Sequence, residues 1–200
     1  MSHKRVMNMK IVKMPLAHDQ HIDKRLRATQ NKLFVTLKTY FSTNQPFSTI
    51  RVGTLCKDAK ITRQTFYRHY GSIGEIITVS CVRMINQFLQ KIDQASNSSH
   101  ISAQLIVDAL LNHQTLLEMM FWSNEEDAVI QLMTGDILRA YSFEDIHKTH
   151  KPFIAELMAR SIISFAQVLI KYPNTNKTDL ISIYKRMVPS SAVLVTEDKK

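Results

Sequence analysis

The chain has 200 residues, 26 Lys and Arg against 17 Asp and Glu for a formal net charge of +9, and only 4 Gly and 5 Pro. The length suits one large domain or two small ones with a substantial core, and the scarcity of turn-forming residues argues against a strand-and-turn architecture and for an all-α protein. Two cysteines, Cys56 and Cys81, with no CxxC pair and no His-rich partner, argue against a disulfide scaffold or a zinc site and read as reduced core thiols of a cytoplasmic protein.

Residues 1–23 are polar, basic and aperiodic, and read as a flexible arm with neither a signal peptide nor a membrane span. From Lys24 to Phe41, Leu26, Leu33, Phe34, Leu37, Tyr40 and Phe41 recur at three- and four-residue steps, which predicts an amphipathic helix. The run STNQPFST breaks it. A short helix over Val52–Asp58 turns Leu55 and Cys56 inward. After a turn at AKI, a third helix opens at Thr62, a residue suited to capping free N–H groups. Ile61 and Phe66 have the spacing of a hydrophobic staple, Phe66 and Tyr70 share the inward face, and Gln64 and Arg68 point away. Ser72 with Glu75 is a capping-box pattern for a fourth helix reaching about Asp93. Further helical segments follow near 101–121, 124–142, 152–172 and 177–188.

The charge is unevenly placed. Residues 1–71 hold 14 Lys and Arg against 3 Asp and Glu, and the remainder holds 12 against 14. A net of +11 in the first third and −2 in the rest suggests a head that meets a polyanion, joined to a body of different purpose.

Two short helices, a three-residue turn and a second helix with a cationic outer face make a helix-turn-helix. The run FSTIRVGTLCKDAKITRQTFYRHYGSIGEII resembles the DNA-binding domain of the TetR/AcrR family of bacterial transcriptional regulators. The resemblance is carried by Phe47, Ile50, Leu55, Cys56, Ala59, Ile61, Thr62, Thr65, Phe66, Tyr67, His69, Tyr70 and Ser72, and covers about residues 24–78. It implies that Arg63, Gln64 and Thr65 face bases, while Thr62, Tyr67 and His69 hold phosphates. Chemistry agrees with that division: Arg reads guanine, Gln reads adenine, and a Thr methyl touches thymine. Hydroxyl and imidazole groups suit phosphate oxygens. Three positions depart from the family pattern. Lys60 stands where Gly is usual, Gly53 where some relatives place a base-reading side chain, and Ile73 where a phosphate-binding Lys is frequent. Arg51, at the start of the second helix, lacks a capping hydroxyl but can supply a phosphate contact.

The expected organisation is therefore an arm at 1–23, a three-helix helix-turn-helix domain at 24–71, a larger helical effector-binding and dimerisation domain at 72–190, and a frayed tail at 191–200. The segment PFIAELMARSIISFAQVLIKY is apolar around most of its circumference and must be covered on several sides. With the helix after it, it resembles the pair that family members use for a homodimer, which would place two recognition helices on a palindromic double-stranded operator. Met119, Met120, Trp122 and Met133, with His113, are candidates to line a cavity for a small apolar or amphipathic effector, against the plainer alternative that they are core.

No GxSxG, glycine-rich phosphate loop or HExxH occurs, and Cys81 with His113 lacks a third catalytic member, so no enzyme and no cofactor are expected. The function so implied is sequence-specific transcriptional regulation by a repressor that a small molecule releases. The alternative is a DNA-binding regulator whose body answers to a protein partner or to nothing.

Overall fold

The computed structural model describes residues 24–94, 103–140 and 150–188. The basic arm expected at 1–23 and the tail at 191–200 lie outside them. The described residues form α1 (Lys24–Ser42), a 3-10 turn (Phe47–Thr49), α2 (Val52–Asp58), α3 (Arg63–His69), α4 (Gly74–Gln94), α5 (Ala103–Asn112), α6 (Gln114–Trp122), α7 (Glu126–Ala140), α8 (Lys151–Lys171) and α9 (Lys177–Met187), with no strand among them. The all-α class follows from the sequence.

Three helix ends share one device. After α1, Asn44 takes φ 58°, its N–H donates to Phe41 O, and the Gln45 N–H reaches back to Tyr40 O. After α2, Lys60 takes φ 55° and Ile61 reaches back to Cys56 O; after α6, Asn124 takes φ 57° and Glu125 reaches back to Met120 O. Each is a Schellman closure, which satisfies the last carbonyls of a helix by placing one residue in the left-handed region. Asn tolerates that region; Lys does not, so the helix-turn-helix turn carries backbone strain of roughly 1 kcal/mol at Lys60. The turn holds this geometry with a side chain at the left-handed position.

One expected helix over 101–121 is in fact two. His113 separates α5 from α6 with φ −119° and ψ 22°. Neither glycine nor proline marks the break and the apolar pattern crosses it, so periodicity reads it as continuous.

The chain divides into two compact units. One comprises α1, the 3-10 turn, α2, α3, α4 up to Asn86, α6, and α7 up to Val129. Its core includes Leu33, Leu37, Leu55, Phe66, Ile76, Ile77, Cys81, Leu117, Met119 and Met120. This unit contains the residues expected as a head at 24–71. The first half of α4 and the whole of α6 complete it.

The other unit holds the rest of α4, α5, α7 from Ile130, α8 and α9. Within it α8 buries Ala155, Ala159, Ile163, Ala166 and Leu169. Small residues at a four-residue spacing let a neighbouring backbone come close. α9 is capped by Asn176, whose side chain accepts from Asp179 N–H at 2.9 Å, and joins α5 through Lys177 Nζ to Asp108 Oδ1 at 2.6 Å. Phe165 of α8 meets Tyr184 of α9 edge to face, with ring centroids 5.0 Å apart. Among the described residues α8 alone is long and apolar enough to cross a membrane by length and composition, which the sequence reading did not expect. Its buried alanine face marks a helix that packs on protein.

Candidate nucleic-acid interface

α3 is set by its first turn. Thr62 holds extended backbone angles and its side-chain oxygen accepts from Thr65 N–H at 3.1 Å, the cap that the sequence predicts. The two hydroxyl oxygens, Thr62 Oγ1 and Thr65 Oγ1, also lie 2.8 Å apart and share a hydrogen bond. The Thr65 hydroxyl thus has one partner within the first turn of its own helix. Phe66 is fully buried and Tyr70 nearly so, which anchors the inner face. On the outer face Thr62, Arg63, Gln64, Tyr67, Arg68 and His69 are exposed. Tyr67 is 60 % exposed although aromatic, its ring held edge-on to Phe66 at 5.2 Å.

Six of the seven residues expected to meet DNA therefore sit on or beside one short helix. Arg51 is the N-cap residue of α2, exposed and making no side-chain cap. Arg68, to which the sequence reading gave no role toward DNA, is exposed beside them. It lies one turn from Gln64 on the same face, and that spacing was legible.

The α3–α4 corner is closed by the expected capping box. Ser72 Oγ accepts from Glu75 N–H at 3.2 Å, and Glu75 Oε2 accepts from Gly71 N–H at 2.7 Å, one residue earlier than the pattern alone indicates. Ile73 is half-buried. From the α6–α7 junction, Glu125 reaches the same corner. Its Oε2 accepts from Thr78 Oγ1 at 2.8 Å, and its Oε1 fills the space where a side chain on Gly74 would begin. A carboxylate at a helix N-terminus is favourably placed against the helix dipole. Nothing in the local sequence points to this contact, because its partners are 47 residues apart.

The residues expected around an effector are placed as follows. Met119 and Met120 are fully buried in the core of the unit that carries α3. Trp122 donates its indole N–H to Gln45 O at 3.0 Å and packs edge-on against Phe41 and Phe47, with centroids 5.5 and 5.0 Å away. It fastens α6 to the corner between α1 and α2. His113 is half-buried at the α5–α6 break, and Met133 is half-buried in the other unit. Among the described residues no group of three His, Cys, Asp or Glu could hold a metal ion.

The thiols are those of Cys56 and Cys81. Both are free and buried, and burial, helped by Glu125, pushes the Cys81 thiol up to about 12, the reverse of what activates a nucleophile. Burial likewise pushes Tyr70 up to about 12, outweighing the pull of Arg83. Both groups have folded values above their unfolded ones near 9 and 10. Their stabilising share is thus complete below about pH 9 and is lost as pH climbs toward about 12. Urea unfolding should show stability falling across that window, and Cys81→Ala should flatten the fall. An unchanged slope would mean Cys81 ionises freely in the folded protein.

No family model matches the chain, and no curated protein matches it. Among solved structures the chain is similar to Lin0861 from Listeria innocua, with a TM-score of 0.77 and 26 % identity over 84 % of this chain and 92 % of that one. The fold therefore has a counterpart in a crystal structure over 84 % of the chain.

Proposed function

We propose that this protein is a sequence-specific DNA-binding transcriptional regulator of the TetR/AcrR type. The observation that carries the reading is the outer face of α3. A seven-residue helix capped by Thr62 and anchored by Phe66 and Tyr70 presents Arg63, Gln64, Tyr67, Arg68 and His69 to solvent with no acid among them. Such a face has the groups that read base edges and hold phosphates, and the net charge of +11 in residues 1–71 favours approach to a polyanion.

The homodimer of the proposal draws support from an exposed apolar stripe on α8 and α9. Phe153, Leu157, Val168 and Tyr172 recur on the open side of α8, and Ile183 and Met187 are exposed on α9. Phe153 is 69 % and Met187 73 % exposed, more than a soluble face ordinarily leaves uncovered in one unit. The effector half of the reading takes no support from Met119, Met120 or Trp122, which have structural occupations. That favours the second reading, a DNA-binding regulator whose body meets a protein partner or has no small-molecule effector.

Selection of bound duplexes from a random pool tests the DNA reading. A discrete, palindromic consensus is expected, with affinity falling steeply as salt rises. Arg63→Ala should weaken the selected duplex about tenfold and leave random DNA nearly unaffected. Equal loss on both would make Arg63 a phosphate contact, and recovery of no consensus would defeat the proposal.

A further inference from the structure

α2 and α3 meet at one contact that the reading above does not use. A Cβ built on Gly53 would stand 2.2 Å from Arg63 Nη2, 2.9 Å from its Cζ and 3.0 Å from its Nε. The guanidinium thus lies directly against the α2 backbone at the single residue of that helix with no side chain. Among the described residues no carboxylate is ion-paired with it. Burial raises the Cys56 thiol of α2, and Arg63 lies close enough to pull it back down.

We propose that Gly53 is a specificity-determining position that acts through Arg63, because its bare backbone seats the guanidinium and fixes how that group reaches a base edge. The inference rests on the DNA-binding reading and names which pair of residues sets its sequence preference. A free Arg side chain loses rotamer freedom when it docks, and a seated one has lost part of it already. Bidentate reading of a base also depends on the plane of the guanidinium, and a Cβ at position 53 displaces that plane. Gly53 is a positioning residue, since Arg63 and not Gly53 would touch the base.

Stability and specificity should then separate. The atoms displaced by a Cβ belong to the far end of a flexible side chain, so α2 itself need not move. Ala is also a better helix residue than Gly. A substitution here is expected to keep the fold while spoiling the reading.

The test uses the full chain as wild type, Gly53→Ala, Gly53→Ser, Arg63→Ala and the Gly53→Ala/Arg63→Ala double variant. Gly53→Ala should unfold at the same temperature as wild type or higher, bind the selected duplex about tenfold more weakly, and bind random duplex unchanged. Gly53→Ser should behave alike, and in the Arg63→Ala background Gly53→Ala should cost nothing more. A Gly53→Ala protein that binds the selected duplex like wild type, or a loss that persists without Arg63, overturns the proposal. The Arg63 Nε–Hε order parameter, measured by NMR without DNA, reports the seat alone: it should fall in Gly53→Ala, and an unchanged value overturns the seat. A wild-type protein that selects no duplex defeats the DNA reading and with it the specificity claim, whatever the NMR signal shows.

Discussion

Trp122→Ala should cost the unit that carries α3 about 3 kcal/mol, at the lower end of the range for removing a large aromatic because Trp122 is half-buried. The change empties the space between Phe41 and Phe47 and leaves Gln45 O without its indole donor. Trp122→Phe keeps much of the packing and loses only the hydrogen bond and some area, so about 1 kcal/mol is expected. Urea unfolding followed by circular dichroism reads the difference. Hydrogen exchange should show the loss at the end of α1 and in the 3-10 turn. A Trp122→Ala protein within about 1 kcal/mol of wild type would mean that α6 is held by its methionines alone.

Gly74→Ala should be the second costly change, at about 2 kcal/mol. Its new methyl would stand 1.6 Å from Glu125 Oε1, 2.4 Å from Cδ and 3.0 Å from Cγ, so the whole carboxylate must leave. Its departure orphans the buried Thr78 hydroxyl. Better helix propensity gives back part of the loss. The mechanism predicts strong coupling: in a Glu125→Ala background the same substitution should cost little. If the two changes prove additive in a double-mutant cycle, the strain lies elsewhere.

These two contacts show where sequence reading stops. Helix boundaries at α1, α2 and α3, the Thr62 cap and the Ser72–Glu75 box were legible because each is fixed by residues within a few positions of one another. The outer face of α3 was legible for the same reason, since a period of 3.6 assigns its sides once Phe66 and Tyr70 are recognised as core. The roles of Trp122 and Glu125 were not. Trp122 read as either a cavity wall or plain core because its neighbours in sequence are methionines, and its partner carbonyl is 77 residues away. Gly53 looked like a missing reading side chain, and its close approach to Arg63 appears only when α2 and α3 are set against each other. The α5–α6 break at His113 carries no turn residue, so apolar periodicity passed over it.

Trp122 is the single tryptophan of the chain. Its intrinsic fluorescence is accordingly a one-site optical reporter, free of overlap from any other indole. The ring is held between Phe41 and Phe47 with its N–H on a backbone carbonyl, so its emission wavelength records whether α6 is still docked on the α1–α2 corner. A titration with DNA or with a candidate metabolite can therefore be watched without a label. A red shift on adding a compound would identify it as one that loosens the unit that carries α3.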